Sequence, residues 1–232
     1  MRRVDQLLSS LGYASRSEAR SWVAAGRVGV GSRIVIDPGE RVDAGLVRVD
    51  GAPLDHPDGV LLMMHKPAGR VCSHDAAEGP RVHDLLPERW QRRNPLITSI
   101  GRLDKETTGL LLLTDLSALV HRLTSPRHKV PKTYRATVDR EVPAGAEEAF
   151  LSGTLRMAGD AEPCAPAQLK RLGSHEVEVI LTEGRYHQVR RMLATLGCSV
   201  VALHRSRFGD LELGDLPENS WKELPLNSFD SP

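Results

Sequence analysis

The sequence has 232 residues, of which 40% are hydrophobic and 26% are charged, and its formal net charge is +1. This composition is too hydrophobic for a disordered chain, and no stretch approaches the roughly 18 uninterrupted apolar residues of a transmembrane helix. Cys72, Cys164 and Cys198 are far apart and odd in number, so neither a disulfide framework nor a structural metal site is predicted. Nucleotide-binding glycine motifs are also missing from the sequence. We therefore expect a cytoplasmic monomer without a membrane segment, a metal or a cofactor.

The first 55 residues are predicted to form a separate small module. Apolar residues recur at helical spacing from Val4 to Leu11, and Gly12 follows them. A second helix is predicted to begin after Ser15, because Ser15 and Glu18 have the spacing of a capping box. Short alternating segments follow at residues 28–30, 34–36 and 47–49, separated by turn residues. The module is thus predicted to contain two helices that lead into a small sheet.

Residues 56–59 are polar and contain Pro and Gly, which predicts a linker. A larger domain over residues 60–232 follows. Its strands are predicted at residues 60–64, 96–100, 110–114, 133–138, 177–181 and 199–203, and its helices at 116–123, 144–151 and 186–196. Because strands outnumber helices and their connections vary in length, we predict an α+β fold with a mixed, mainly antiparallel sheet.

Basic residues are concentrated in three segments. Residues 2–33 contain six arginines and two acidic residues, while residues 121–135 and 185–207 contain no acidic residue at all. Any one of these segments would be read as an ordinary solvated surface. Together they predict a surface that binds nucleic-acid phosphates in a salt-dependent way.

The most informative motif covers residues 101–115, GRLDKETTGLLLLTD. Two glycines flank a polar loop between two apolar segments, so Asp104 is predicted to lie on a loop that the core anchors at both ends. An isolated Asp in such a place more often caps a turn. The loop alone therefore leaves the role of Asp104 open.

This motif resembles the catalytic motif of the ribosomal pseudouridine synthases, specifically of the branch that modifies small-subunit rRNA. Two further segments, KTYRA at residues 132–136 and EGRYHQVRRM at residues 183–192, follow in the order of the family, with Leu203, His204 and Arg205 after them. The N-terminal module is similar to the S4-type RNA-binding domain, which precedes the catalytic domain in that branch. The resemblance covers nearly the whole chain.

The resemblance implies a cofactor-free isomerase that detaches uracil from its ribose at N1, turns the base and rejoins it through C5. It implies that Asp104 is the nucleophile and that Tyr134 stacks on the flipped uracil. It also implies that Arg190 pairs with Asp104 and keeps it ionised.

Binding residues are predicted in both parts of the chain. Substrate-binding positions in the larger domain are Arg102, Lys132, Arg191 and His187, and the resemblance implies that Leu203 also binds substrate by packing near the base. RNA-binding positions in the first module are Arg16, Arg20 and Arg27.

The expected partner is small-subunit (16S) ribosomal RNA or an intermediate of its assembly. Two alternatives stay open: a pseudouridine synthase that acts on 23S rRNA, and a non-catalytic RNA-binding protein of ribosome assembly. The set of Asp104, Tyr134 and Arg190 argues against the second, because a carboxylate repels phosphate and is of no use to a protein that only binds RNA.

Overall fold

The computed structural model describes residues 1–125 and 127–229. The described helices are α1 (Val4–Ser10), α2 (Arg16–Ala24), α3 (Ser117–Thr124), α4 (Ala146–Leu151) and α5 (Gln188–Thr195). The described strands are β1 (Arg2–Arg3), β2 (Val28–Val30), β3 (Arg33–Ile34), β4 (Arg41–Val42), β5 (Val47–Val49), β6 (Ala52–Pro53), β7 (Leu61–Lys66), β8 (Thr98–Ser99), β9 (Thr108–Thr114), β10 (Lys132–Val138), β11 (Gln168–Arg171), β12 (Glu176–Leu181), β13 (Val200–Phe208), β14 (Leu211–Glu212) and β15 (Trp221–Glu223). Within these ranges, none of the helices has the length and hydrophobicity that a membrane span requires.

The N-terminal module contains two helices and a small sheet, as predicted. Its four-stranded sheet has the order β3-β2-β5-β6, and β1 pairs with β4. The capping box of α2 is present: Glu18 N donates to Ser15 Oγ, and Ser15 N donates to the Glu18 carboxylate. Its core is a cluster that includes Val4, Leu7 and Leu8, which are fully buried.

The larger sheet has nine strands, with seven in the order β11-β12-β10-β13-β9-β7-β15. Strand β14 pairs with β13, and β8 pairs with β9. The β9–β13 pair is parallel, whereas the other neighbours are antiparallel. The predicted α+β fold with a mixed, mainly antiparallel sheet is therefore confirmed.

Strand β7 lies inside this sheet and is buried on both faces. Leu62 and Met64 belong to one hydrophobic cluster, and Leu61 and Met63 belong to another. Successive side chains of a strand point to opposite faces, so this continuous apolar run packs against core on both sides. Strands β11 and β15 are not among the predicted strands, and they pair with β12 and β7 respectively.

The N-terminal module packs directly against the larger domain. The guanidinium of Arg89 lies 4.3 Å from the ring centroid of Tyr13 and forms an ion pair with Asp55. The backbone N–H of Asp55 also donates to the Tyr13 hydroxyl. Gly12 has φ +77°, and a Cβ there would lie 2.2 Å from the carbonyl oxygen of Arg89. Glycine at position 12 therefore permits both the turn after α1 and this close approach.

A buried ion pair lies beside the segment between the two parts. Arg93, which is almost fully buried, donates from Nε to Asp115 at 2.9 Å and from Nη2 to the carbonyl of His56 at 2.6 Å. The other carboxylate oxygen of Asp115 accepts from the backbone N–H of Val60. One guanidinium thus connects residue 56 to the end of β9.

We expect Arg93→Met to destabilise the protein by about 3–5 kcal/mol, because it leaves the Asp115 carboxylate buried without its cation. Urea unfolding measures the change. Arg92→Met is the matched control, since the Arg92–Glu88 pair is exposed and such pairs contribute little, about 0–1 kcal/mol. Equal unfolding midpoints for the Arg93 and Arg92 variants would show that the buried pair does not stabilise the fold.

His83 is buried and stacks on His74, with 3.9 Å between ring centroids. Burial and, to a smaller extent, the neighbouring His74 together lower the pKa of His83 from 6.5 to about 4. Because the unfolded chain binds this proton more readily, stability is complete above pH 6.5 and is lost as the pH falls towards 4.

We therefore expect the free energy of unfolding to fall by about 2 kcal/mol between pH 7.5 and pH 5 on account of His83. Urea titrations at the two pH values measure the difference. His83→Phe should remove this part of the acid sensitivity, while His175→Gln, at an exposed position, should keep it. An unchanged pH dependence in His83→Phe would contradict the assignment.

Candidate active site

A cavity of about 950 Å³ lies where the 101–107 loop, β10, β13 and the segment before α5 meet. It is lined by six of the residues that the sequence predicted for the site: Arg102, Asp104, Lys132, Tyr134, His187 and Leu203. These residues are far apart in the sequence, and the fold brings them together around one space. Arg190 and Arg191 do not line it within the described part of the chain.

The loop that holds Asp104 is anchored on both sides of that residue. Leu103 is buried in the core, and its carbonyl oxygen accepts from the Cys72 thiol at 3.5 Å. On the other side, the backbone N–H of Thr107 donates to the Asp104 carbonyl at 3.0 Å and closes a turn. The Asp104 side chain keeps about a third of its surface exposed. A fixed backbone therefore presents a carboxylate that a ligand in the cavity can reach.

Lys66, at the end of β7, supports the site and is not among the predicted site residues. It is fully buried, and its Nζ donates to the carbonyls of Pro67, Lys105 and Thr107, each at 2.9 Å. Burial lowers the pKa of this amine, although nearby acidic groups that include Asp104 oppose the shift. One ammonium group thus fixes the backbone of the loop that carries Asp104. This role was not predictable from the sequence, because a lysine that ends a strand is normally exposed.

Gly109 is the second glycine of the motif, and the close approach of strand β13 explains why a glycine is needed there. It has φ +106°, and a Cβ there would lie 2.2 Å from the carbonyl oxygen of Arg205. The missing side chain lets β9 run close beside β13 in the parallel pair, in register with Arg205. This close packing places the Asp104 loop next to Leu203, two residues earlier on β13.

The imidazole of His187 lies beside the Asp104 carboxylate. Its Nε2 lies 3.4 Å from Asp104 Oδ1, which makes an ion pair when the imidazole is protonated. His187 precedes α5 and adopts the left-handed conformation, with φ 49° and ψ 33°. A non-glycine residue in this conformation is uncommon and is often found at functional sites.

The structure does not show the predicted ion pair between Asp104 and Arg190. Within the described residues, Arg190 forms no ion pair with Asp104, and its Nη1 donates instead to the carbonyl of Val200 at 3.0 Å. The guanidinium finds this acceptor at the start of β13, while the loop turns His187 towards Asp104. A catalytic role of Arg190 stays a prediction.

Tyr134 and Leu203 belong to the apolar part of the cavity wall. Tyr134 lies on β10 next to a β-bulge in its pairing with β13, and it packs against two hydrophobic clusters. Leu203 is 5% exposed. A phenol ring and a leucine side chain beside a carboxylate provide a surface on which a planar base can pack.

Two basic groups lie in the wall beyond Tyr134. Burial lowers the pKa of the Lys132 amine, and the positive charge of Arg205 lowers it further. Lys132 Nζ donates to the carbonyl of Thr182, and Arg205 Nε donates to that of Leu110. The second and third basic segments of the sequence therefore both supply cavity residues.

Arg191 does not point a free guanidinium at the cavity, contrary to its predicted role as a substrate-binding residue. It forms an ion pair with Asp160 and donates to the carbonyls of Ala158 and Tyr186. Asp160 also pairs with Arg185 at 3.2 Å, and hydrogen bonds from these arginines lower the pKa of its carboxyl group. This network holds the Tyr186–His187 segment in place.

The remaining predicted residues lie on the surface. Arg102 is exposed at the cavity and lies 3.9 Å from Glu78. In the N-terminal module Arg16, Arg20 and Arg27 are exposed. Arg20 lies 3.8 Å from Asp5, and Arg27 pairs with Asp50 and stacks on Trp22. Pairing with acids thus reduces the positive charge that the first basic segment presents.

A domain with a nine-stranded sheet that places a carboxylate, an imidazole and a phenol around one cavity, preceded by a small module with exposed arginines, fits an enzyme that acts on RNA. Comparison with protein families agrees with it. The model of the RNA pseudouridylate synthase family matches residues 60–195, and the model of the S4 domain matches residues 2–47. The chain belongs to the RNA pseudouridylate synthase family and has an N-terminal S4 domain. The predicted isomerase family and the predicted S4 domain are confirmed.

Similar proteins extend over nearly the full chain. A ribosomal small subunit pseudouridine synthase A from Vibrio parahaemolyticus is 36% identical over 236 residues, which cover 99% of this chain and 98% of that protein. An uncharacterized RNA pseudouridine synthase from Aquifex aeolicus is 36% identical over 225 residues, covering 96% and 92%. A crystal structure of a pseudouridylate synthase superposes with a TM-score of 0.67 and 32% identity, covering 97% of this chain and 96% of that one.

Proposed function

We propose that this protein converts one uridine of small-subunit (16S) ribosomal RNA into pseudouridine in the cytoplasm, with Asp104 as the nucleophile. The observation that supports this most strongly is the placement of Asp104, Tyr134 and Leu203 around one cavity of about 950 Å³. The relative named for the small subunit matches the chain from end to end, which favours the small-subunit substrate over 23S rRNA.

The reaction uses the groups that line the cavity. The target uridine leaves the RNA stack and enters the cavity, where its base packs against Tyr134 and Leu203. An oxygen of Asp104 bonds to C1′ as the bond between C1′ and N1 breaks, and the electron pair of that bond moves to the uracil. The base turns, C5 bonds to C1′, Asp104 is released, and the proton from C5 is replaced by one on N1. The atoms of substrate and product are the same, so the reaction consumes no cofactor.

His187 supports this role of Asp104 by position. Its Nε2 lies 3.4 Å from Asp104 Oδ1, and a protonated imidazole at this distance attracts a carboxylate electrostatically. An ionised carboxylate is the form that attacks carbon.

We also propose a division of labour between the two parts of the chain. Residues 1–55 bind RNA through exposed arginines that include Arg16, Arg20 and Arg27, residues 56–59 connect the parts, and residues 60–232 catalyse the reaction. The S4 domain then holds the rRNA while the cavity receives a single base.

The experiment is to map pseudouridines in ribosomal RNA from cells with and without this protein. The proposal predicts the loss of one pseudouridine from the small-subunit RNA and none from the large-subunit RNA. Loss from 23S rRNA would support the alternative substrate. An unchanged pattern in both RNAs would support the alternative of a non-catalytic assembly protein.

A further inference from the structure

Tyr186 is an exposed aromatic residue at the cavity that catalysis, as proposed above, does not use. All nine Phe, Trp and Tyr residues of the chain lie within the described ranges, and Tyr186 is the one among them that is exposed. Its relative exposure is 76%, yet it also lines the cavity that holds Asp104. An exposed tyrosine at that position requires an explanation, because packing within this chain does not provide one.

The ring of Tyr186 is held in a fixed position. It stacks on the ring of His187, with 3.8 Å between centroids and 16° between planes. The backbone carbonyl of Tyr186 accepts a hydrogen bond from Arg191 Nη1 at 3.2 Å, and Arg191 forms an ion pair with Asp160. A ring that is already ordered loses little conformational entropy when a ligand stacks on it.

The ring of Tyr186 lies close to the place where the target base would bind. Tyr186 stacks on His187, and His187 lies 3.4 Å from Asp104, so two contacts separate the exposed ring from the nucleophile. When a uridine leaves the stack and enters the cavity, its neighbours in the RNA each lose a stacking partner. An exposed ring at the cavity replaces that lost contact, since every nucleobase has a face that stacks on an aromatic side chain.

We propose that Tyr186 stacks on the nucleobase next to the target uridine and thereby helps to select the RNA in its flipped form. This inference rests on the proposed function and adds a second base-binding position to it. The partner is a nucleobase of the same RNA strand, directly adjacent to the uridine in the cavity.

The test compares wild type, Tyr186→Leu and Tyr186→Phe on an RNA fragment that contains the target uridine. Base stacking on an aromatic ring predicts that Tyr186→Leu lowers kcat/KM about tenfold or more, mainly through KM. Tyr186→Phe keeps the ring and should stay within about twofold of wild type. Since the side chain is exposed, thermal melting of all three proteins should agree.

A modified RNA separates stacking from a merely structural effect on His187. The fragment is made with an abasic residue on the 5′ or the 3′ side of the target uridine. At one of these positions the abasic residue should lower kcat/KM of the wild-type protein. On that abasic RNA, Tyr186→Leu should have the same kcat/KM as wild type, because the stacking partner is already missing. Wild-type kcat/KM in Tyr186→Leu, or losses that multiply at both positions, would overturn the inference. A wild-type enzyme that makes no pseudouridine in the intact fragment would instead overturn the proposed function beneath it.

Discussion

Asp104→Asn is expected to abolish pseudouridine formation, with a loss of at least about 10³-fold in turnover. The amide has nearly the same shape as the carboxylate but is not a nucleophile. Because the substitution removes no contact of the loop backbone with Lys66, the loop should keep its conformation. Affinity for the rRNA should therefore stay within about twofold, since phosphate contacts elsewhere determine it. Chromatography of nucleosides after digestion measures turnover, and filter binding measures affinity.

Glu106→Gln is the matched control for Asp104→Asn. Glu106 lies on the same loop and is exposed, so its neutralisation changes the charge of the loop equally without removing the nucleophile. We expect its turnover to stay near that of wild type. Turnover in Asp104→Asn at the level of this control would end the assignment of Asp104.

Lys66→Met is expected to affect both stability and turnover. Methionine has a similar length but cannot donate hydrogen bonds, so the carbonyls of Pro67, Lys105 and Thr107 lose the donor that now lies at 2.9 Å. A buried acceptor without a donor costs about 1–3 kcal/mol, and we expect a total destabilisation of about 2–4 kcal/mol. A displaced loop misplaces Asp104, and displacements of about 1 Å lower turnover by about 10²-fold. Urea unfolding and kcat, measured at a temperature where the variant is folded, give the two values.

Lys105→Met serves as the control, because its side chain is exposed on the same loop. It should leave the unfolding midpoint and kcat close to those of wild type. If Lys66→Met unfolds at the same urea concentration as Lys105→Met and turns over equally fast, Lys66 does not position the loop.

Much of the fold was predictable because the deciding interactions are local. The capping box of α2 depends on residues three positions apart, and the buried stripe of Val189, Met192 and Leu193 in α5 follows from helical spacing. Strands β9 and β10 stand out as apolar or alternating runs. These elements can therefore be predicted from short stretches of the sequence.

The unpredicted features depend on contacts between distant segments. Strand β15 has three residues, and only its pairing with β7 makes it a strand. Lys66 becomes buried because three carbonyls from two segments converge on its ammonium group. The place of Arg190 in its motif predicts Asp104 as its partner. Its actual partner, the Val200 carbonyl, depends on how α5 packs against β13. Motif position identifies which residues matter without fixing the direction of their side chains.

Release of tritium from RNA labelled at C5 of its uridines tests the central claim most directly, because the hydrogen on C5 must leave when C5 bonds to the ribose. We predict that the wild-type protein releases a single equivalent of tritium from small-subunit rRNA and none from 23S rRNA, and that Asp104→Asn releases none from either. Equal release by wild type and Asp104→Asn, or no release from small-subunit rRNA by a folded wild-type protein that binds it, would contradict the claim.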